Sequence, residues 1–186
     1  MATTKHRITG GQNRGLPLVE PKGLRLRPTS GLVREAIFNI VGARIEGARV
    51  LDLYAGTGAL GMESLSRGAL AAVFVDAEAS SCQAILQSVA RANYSASATV
   101  MRGRLPAVAR DLPGQFDIVF LDPPYQSDTG AETLAGVAPL VAPGGLVVYE
   151  HGSRYNPAER PPGLVLVERR VYGDSAIALY AREEGE

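Results

Sequence analysis

One twelve-residue segment, Val50–Gly61, constrains the fold of this chain more than any other part of it. Its apolar first half contains Asp52, its middle is the glycine turn Gly56-Thr57-Gly58, and its end begins a helix-forming stretch. Glycines at such a turn let backbone N–H groups approach a ligand closely, next to the positive end of a helix. The segment therefore predicts a strand, a ligand-binding turn and a helix, which together open an α/β sheet.

The spacing of the three glycines also fits the dinucleotide pattern G-x-G-x-x-G, and Asp76 ends the next apolar run, where a ribose-binding acid belongs. Asp52 distinguishes between the ligands, because a pyrophosphate at this turn would lie close to its negative charge. S-adenosylmethionine instead brings a sulfonium and an amino group, for which a carboxylate is favourable. We therefore expect Asp52, Gly56, Gly58, Gly61 and Asp76 to bind S-adenosylmethionine.

Apolar strand-like runs alternate with amphipathic stretches along the chain. Strands are predicted near residues 49–53, 72–76, 98–102, 116–121 and 145–150, with a closing hairpin at 164–171 and 174–181. Helices are predicted near 30–43, 59–67, 78–92, 105–111 and 130–140. This alternation predicts a Rossmann-like, mostly parallel sheet with helices on both faces. Ligands bind such sheets beyond the carboxyl ends of the strands, so the strand-end acids Asp52, Asp76, Asp122 and Glu150 should lie along one edge.

The tetrapeptide Asp122-Pro123-Pro124-Tyr125 directly follows the apolar run 116–121. It suits the binding of a planar exocyclic amine, which is a poor nucleophile because its lone pair is conjugated into a nucleobase ring. Acceptors at the Asp122 carboxylate and the Pro123 carbonyl would favour a more tetrahedral nitrogen, while the prolines restrict the turn and Tyr125 offers a stacking face. Together with the glycine turn, residues 122–125 predict methyl transfer to a base amine. A purely structural, proline-terminated strand end is the alternative.

Charge is unevenly distributed, although 19 basic residues balance 19 acidic ones over the 186-residue chain. Residues 1–49 contain nine Lys/Arg and three Glu, so this part carries about +6 and the remainder about −6. A basic segment on an acidic body fits contact with a polyanion, and a solvated surface is the alternative. We expect residues 1–27 to form a basic β-hairpin or arm that faces RNA, and residues 28–186 to form the catalytic domain. The candidates for phosphate contact are Arg7, Arg14, Arg25, Arg27 and Arg34, and for Arg34 a structural salt bridge with Glu35 or a strand-end acid is an alternative.

Composition excludes several kinds of site. The single cysteine, Cys82, rules out an intramolecular disulfide, and His6 and His151 have no neighbours at metal-ligand spacing. The longest apolar run, residues 69–75, is far too short to cross a bilayer. We therefore expect a soluble, cytoplasmic protein, monomeric and without a bound metal.

With these motifs placed, the chain resembles the Rossmann-type S-adenosylmethionine-dependent methyltransferases. Specifically, it resembles the bacterial 16S rRNA guanine-N2 methyltransferases of the RsmD family. The resemblance covers nearly the whole chain and is carried by residues 7–15, 26–29, 33–40, 51–61, 65–69, 122–125, 149–150 and 172–173. The segments Arg27-Pro28-Thr29 and Val33–Asn39 are its most family-specific parts.

The resemblance implies a fold and a set of roles. It implies a seven-stranded sheet whose last strand is antiparallel, and an N-terminal β-hairpin that helps to grip 16S rRNA, free or in a partly assembled small subunit. Asp122 to Tyr125 would hold a flipped guanine, with Asp122 also beside the cofactor, and Thr29 would join the RNA-binding residues. The residues implied to bind the cofactor are Asp52, Tyr54, Ala55, Gly56, Thr57, Gly58 and Gly61 for its methionine portion, with Asp76 and Ala77 at its ribose.

The chain departs from the family pattern at two places. The loop after the third strand often supplies an acid for the adenine amino group, whereas this chain has Arg104 and Leu105 there. Adenine recognition would then fall to backbone groups or to packing by Leu105. Leu32 stands where family members usually carry a basic residue, so one polar or phosphate contact is affected.

Three other functions compete with this interpretation. An adenine-N6 methyltransferase of DNA or RNA would use the same chemistry and the same tetrapeptide. A nicotinamide-dependent oxidoreductase could use the glycine turn, but it gives Asp52 and residues 122–125 no role. A non-catalytic RNA-binding module would not need an intact cofactor site.

Overall fold

The computed structural model of the chain describes residues 6–23, 31–112, 114–124 and 129–183. The strands are β1 (Arg49–Leu53), β2 (Ala71–Asp76), β3 (Ala98–Arg102), β4 (Phe116–Leu121), β5 (Val141–Gly152), β6 (Leu164–Tyr172) and β7 (Ser175–Arg182). The α-helices are α1 (Gly31–Val41), α2 (Ala59–Ser66), α3 (Ala79–Arg91) and α4 (Thr129–Gly136). Short 3₁₀ turns cover Gly42–Ile45, Ala107–Asp111 and Ala138–Leu140.

All seven strands form one sheet in the order β3-β2-β1-β4-β5-β7-β6. Strands β1 to β5 pair in parallel, whereas β7 is antiparallel to both of its neighbours, β5 and β6. The predicted seven-stranded, mostly parallel sheet is thus confirmed. The strand order reverses between β1 and β4, and ligands of open α/β sheets bind at this kind of switch point.

Two separate apolar layers cover the sheet, because alternate residues of a strand face opposite sides. Val50 and Phe120 belong to the layer that also contains residues of α1, α2 and α3. Leu51 and Leu121 belong to the opposite layer, with residues of α4 and of two 3₁₀ turns. Helices therefore lie on both faces, as predicted. Among the described residues, no helix is long and apolar enough to cross a membrane.

The predicted N-terminal β-hairpin is not seen as a pair of strands. Within residues 6–23, here called the N-terminal segment, a single isolated antiparallel bridge joins Arg7 and Pro17. The hydrogen bonds of this bridge come from the neighbouring residues, from the Ile8 N–H to the Leu16 carbonyl and from the Leu18 N–H to the His6 carbonyl, and within residues 6–23 no further bridge extends them into strands. The segment is nevertheless packed on the sheet domain, because Ile8 and Leu18 are buried in the layer that contains α1, α2 and α3.

Three predicted boundaries were wrong. The stretch 105–111 forms a 3₁₀ turn over Ala107–Asp111 rather than a regular helix, and 130–140 divides into α4 and a second 3₁₀ turn. Strand β5 begins at Val141, because Val141 pairs with Phe116 before an irregularity in the ladder. The sequence Pro143-Gly144-Gly145, at the start of the predicted strand 145–150 and just before it, forms part of that irregular strand.

Candidate active site

The parallel register brings the predicted site residues to one edge of the sheet. Leu53 of β1 is level with Val75 of β2 and with Leu121 of β4, and Leu121 is level with Tyr149 of β5. The next residue of each strand therefore lies at the same carboxyl-end edge, here called the rim. These residues are Tyr54, Asp76, Asp122 and Glu150. The predicted gathering of strand-end acids is confirmed. Asp52 lies within β1, two residues before Tyr54, and is therefore further from the rim.

Asp52 is a buried carboxyl group, with a side chain that is only 2% exposed. The Gly61 N–H donates to its Oδ2 at 2.8 Å. Burial raises the pKa of Asp52 to about 7; the nearby Asp76 carboxylate raises it further, whereas the Gly61 N–H acts in the opposite direction. The site therefore contains an acid whose charged form is poorly stabilised by the protein alone. A cation bound beside it would stabilise that form.

The backbone between β1 and α2 forms the cofactor turn, Tyr54–Gly58. Tyr54, Gly56 and Gly58 all have positive φ, at 59°, 56° and 73°. Positive φ is uncommon for a side-chain-bearing residue such as Tyr54 and is often found at functional sites. The Tyr54 hydroxyl is held on α4, 3.1 Å from the Thr129 carbonyl and 2.8 Å from the Thr133 hydroxyl.

The glycines of this turn are required for packing as well as for conformation. A Cβ added to Gly61 would lie 2.2 Å from Cε1 of Phe74 in β2. One added to Gly58 would lie 3.0 Å from the Ile85 side chain of α3 and 3.3 Å from Phe74. Both positions thus face the core between α2, α3 and the sheet. Close helix–strand packing is a known role of glycine in such turns.

Asp76 connects the cofactor turn to the end of β2. Its Oδ2 accepts the Gly56 N–H at 2.8 Å, and its Oδ1 accepts the Glu78 N–H at 2.9 Å. A carboxylate can accept about four hydrogen bonds, so these contacts leave acceptor capacity for ribose hydroxyls. Its neighbour Ala77 is half-buried, and the Ala77 carbonyl accepts Nε of Arg102 at 3.1 Å.

The loop that follows β3 carries the two residues expected near an adenine ring. Arg104 is exposed, whereas Leu105 is half-buried and packs against the apolar layer that contains α4. The Gly103 N–H donates to the Asp76 carbonyl at 2.9 Å, which places this loop against the carboxyl end of β2. Leu105 is therefore a partly exposed apolar side chain on this loop, and its contact with an adenine stays a prediction.

The Asp-Pro-Pro segment follows β4 directly, beside the cofactor turn. The Asp122 N–H donates to the Leu53 carbonyl at 3.5 Å, which ties the segment to the end of β1. Asp122 is half-buried, Pro123 is buried and Pro124 is exposed. Tyr125 lies outside the described residues.

Helix α4 packs closely against this segment. A Cβ added to Gly130 would lie 2.6 Å from Cγ of Pro123 and 2.8 Å from the Tyr149 hydroxyl. The Tyr149 ring contacts His151, and both rings contact Tyr155. A glycine at the start of α4 therefore lets the helix close over Pro123 and this aromatic group.

Two of the six predicted RNA-binding residues lie on the exposed N-terminal segment. Arg7 donates to the Gly15 carbonyl at 2.8 Å, and Arg14 is exposed. Arg25, Arg27 and Thr29 lie outside the described residues. Leu32, the departure noted above, is 65% exposed, so its side chain faces solvent on α1.

Arg34 is only 7% exposed, in contrast to Arg7 and Arg14. Burial lowers its pKa, the Glu63 carboxylate raises it, and the charge of Arg67 lowers it. The charges that act on this guanidinium are thus those of Glu63 and Arg67, and within the described part of the chain Arg34 forms no ion pair with Glu35 or a strand-end acid.

Glu63 is a buried charged residue near the N-terminal segment that the sequence analysis did not identify. It is fully buried on α2, where its carboxylate accepts the Thr9 N–H at 2.7 Å and the Thr9 hydroxyl at 2.8 Å. It also accepts Nε of Arg67 at 2.9 Å. The available signal was a glutamate within an otherwise small and apolar helix, four residues before an arginine.

Comparison with known proteins identifies relatives over nearly the whole chain. A family model described as "Conserved hypothetical protein 95" matches residues 6–181. The ribosomal RNA small subunit methyltransferase D of Escherichia coli strain K12 is 33% identical over 183 residues, which cover 97% of this chain and 92% of the relative. The protein of that name from Haemophilus influenzae is 28% identical, with 94% of this chain and 92% of the relative covered.

Solved structures agree with this result. The structure of yhhF from Escherichia coli has a TM-score of 0.84 and 32% identity, and covers 97% of this chain and 99% of that one. A more distant structure, SMU.776 complexed with SAH, has a TM-score of 0.61 and 15% identity, with 80% of this chain and 48% of that one covered. At that identity the likeness shows the fold alone.

Proposed function

The chain belongs to the RsmD family of methyltransferases, and from this premise we propose that it transfers a methyl group from S-adenosylmethionine to the exocyclic N2 of a guanine in 16S ribosomal RNA. One observation carries the proposal. The buried Asp52 with its cofactor turn and the Asp122 segment are adjacent at the switch point between β1 and β4, where the Asp122 N–H donates to the Leu53 carbonyl. This adjacency supports the proposal, because methyl transfer requires the cofactor to bind beside the base amine.

The residues at the turn fit the chemistry of S-adenosylmethionine. Asp52 is a buried acid with a pKa raised to about 7, and a cationic amino or sulfonium group would pair with its ionised form. Asp76 retains acceptor capacity for the ribose hydroxyls, and Leu105 offers an apolar contact for the adenine. When bound, S-adenosylmethionine supplies a methyl group on a positively charged sulfur. SMU.776, which shares this fold, was solved as a complex with SAH.

The tetrapeptide would then hold the base amine. Asp122 accepts a hydrogen bond from N2, and the Pro123 carbonyl accepts a second one, so that the nitrogen lone pair is less conjugated with the ring. Asp122 need not remove a proton first, because the nitrogen loses a proton readily once it has become positive. Tyr125 stacks on the flipped guanine, and most of the rate enhancement comes from positioning.

RNA contact is assigned to the basic part of the chain. Arg7 and Arg14 on the exposed N-terminal segment are proposed to contact phosphates, together with Arg25, Arg27 and Thr29, with the domain of residues 28–186 carrying the chemistry. The name of the E. coli relative, a small-subunit rRNA methyltransferase, supports the substrate class. We propose that a monomer acts in the cytoplasm on 16S rRNA, free or in a partly assembled subunit.

Single-turnover methylation of unmodified 16S rRNA tests the role of Asp122. Asp122→Ala should reduce the rate by about 10²–10³, as expected for loss of a preorganised charge-assisted contact. Its affinity for S-adenosylhomocysteine should change far less. Asp111→Ala, which removes an exposed acid from a 3₁₀ turn, is the matched control and should retain the normal rate. Normal turnover by Asp122→Ala would reduce the tetrapeptide to a structural turn.

A further inference from the structure

The N-terminal segment and the cofactor turn are connected by a side-chain contact. Nδ1 of His6 lies 3.1 Å from the Thr57 hydroxyl oxygen, at hydrogen-bond distance, although the residues are 51 positions apart in the chain. Thr57 was expected to bind the cofactor, whereas His6 had no role. The contact therefore joins a segment proposed to face RNA to the loop proposed to hold the methyl donor.

Hydrogen bonds of the backbone hold the glycines on either side of Thr57, because the Gly56 N–H donates to Asp76 Oδ2 at 2.8 Å and the Gly58 N–H to the Ala55 carbonyl at 2.6 Å. Gly56 and Gly58 both have positive φ and carry no side chain, and glycine is the most conformationally free residue. Thr57, between them, is buried and supplies the side chain of this three-residue stretch. A β-branched residue has few χ1 choices, so fixing its hydroxyl also fixes its backbone. The His6 contact thus adds a side-chain hydrogen bond, from outside the turn, to the backbone bonds that hold Gly56 and Gly58.

His6 is itself firmly held. Its carbonyl accepts the N–H of the buried Leu18 at 2.8 Å. Further along the segment, the Thr9 N–H and hydroxyl bind Glu63, and the Gln12 N–H donates to the Ser66 carbonyl at 2.8 Å. Glu63 and Ser66 belong to α2, the helix that begins directly after the cofactor turn. The segment that carries the imidazole is therefore anchored to α2, and α2 begins directly after the turn that contains Thr57.

The charge state of His6 suits this contact. Burial lowers the pKa of His6, and the charge of Arg34 on α1 lowers it further, while Glu20 acts in the opposite direction. The ring is consequently neutral at neutral pH. A neutral imidazole nitrogen can exchange a hydrogen bond with a hydroxyl as donor or acceptor, according to its tautomer.

We propose that His6 is a positioning residue for the cofactor turn, and that through the Thr57 hydroxyl it holds the turn in the shape that binds S-adenosylmethionine. This inference rests on the proposed function. Its consequence is that the N-terminal segment is part of the cofactor site and not a separable arm. Removing residues 1–24 should therefore weaken cofactor binding as well as RNA binding.

A double-mutant cycle tests the proposal, with S-adenosylhomocysteine as the probe and calorimetric titration as the measurement. His6→Ala and Thr57→Val should each weaken binding about three- to tenfold, the effect expected from losing one hydrogen bond. The double variant should bind no more weakly than either single variant, because both remove the same contact. His6→Asn, whose amide can replace Nδ1, should restore most of the affinity.

Asn13→Ala is the matched control. It also removes one side-chain hydrogen bond of the N-terminal segment, from Nδ2 to the Ala92 carbonyl at the end of α3. This contact is remote in sequence from the turn, and the variant should bind the probe within about twofold of the wild type. Thermal unfolding of each variant would show whether a loss of affinity reflects a loss of folding. Of these variants, His6→Asn should affect folding least, because its amide can replace Nδ1.

The outcomes separate this inference from the proposed function. Normal probe binding by His6→Ala overturns the inference alone, as do additive losses in the cycle or equal losses in Asn13→Ala. A folded wild-type protein that does not bind the probe at all overturns the proposed function and the inference with it.

Discussion

At Asp52, folding stability and cofactor binding are expected to make opposite demands on the side chain. Replacing it by Asn should stabilise the cofactor-free protein at alkaline pH while it abolishes cofactor binding. The folded-state pKa of Asp52 is raised from 3.8 to about 7, chiefly by burial. A group with a raised pKa contributes its stability fully below the unfolded-state value and loses it as pH rises through the folded-state value. The stability contribution of Asp52 is therefore lost between pH 3.8 and about pH 7.

The size of the effect follows from the shift. Each pKa unit corresponds to about 1.4 kcal/mol, so a shift of about three units costs about 4 kcal/mol of folding free energy at pH 8. At pH 5 the unfolded chain has already ionised, and about 2 kcal/mol of this cost is present. Between these two pH values, the wild-type protein should therefore lose about 2 kcal/mol that the Asn variant keeps.

Urea unfolding of both proteins at the two pH values measures this difference. Comparing the change in one protein with the change in the other cancels the titration of groups that they share. Asn can still accept the Gly61 N–H through its amide oxygen, so the turn is preserved. Equal pH dependence of the unfolding free energy in the two proteins would refute the claim that Asp52 is a buried carboxyl group with a raised pKa.

Three further predictions concern the same region. Cofactor affinity should rise about tenfold from pH 6 to pH 8, because the ionised Asp52 pairs with the cation; calorimetric titration measures this, and a flat profile would contradict it. Gly58→Ala should lower the melting temperature by an amount equivalent to about 1–3 kcal/mol, since φ there is +73° and the new Cβ would press on Ile85; an unchanged melting temperature would show that the turn tolerates a side chain. Glu63→Ala should cost about 3–5 kcal/mol in urea unfolding, because it leaves Arg67 and the Thr9 N–H and hydroxyl without the buried carboxylate that they contact, and a cost below about 1 kcal/mol would exclude that role.

The strands were predictable because local pattern and tertiary pairing agree there. The apolar run ending at Asp122 coincides with β4 in full, and Asp76 ends β2 as expected. The start of β5 was not predictable, since it is set by pairing between Val141 and Phe116 across a gap in the ladder. Sequence alone cannot show that the strand begins at Val141 and resumes its pairing with β4 at Leu146, after the glycines.

The positions of the acids could be predicted from the sequence, whereas the side-chain contacts around the cofactor turn and α2 could not. Asp52, Asp76 and Asp122 stand next to apolar strands, where charged residues are conspicuous. The contacts of Thr9 with Glu63 and of His6 with Thr57 join residues more than 50 positions apart and have no periodic signature. The glycines of the turn were predicted to leave space for a ligand. At Gly58 and Gly61, however, the space that a Cβ would take is filled by core side chains.

The identity of the methylated nucleoside tests the central claim most directly. The purified protein would be incubated with unmodified 16S rRNA and isotope-labelled S-adenosylmethionine, and the RNA digested to nucleosides for mass spectrometry. The account predicts that the label is recovered in N2-methylguanosine at a single position, and that Asp122→Ala greatly slows its appearance. Label in N6-methyladenosine, or none in the RNA, would contradict it.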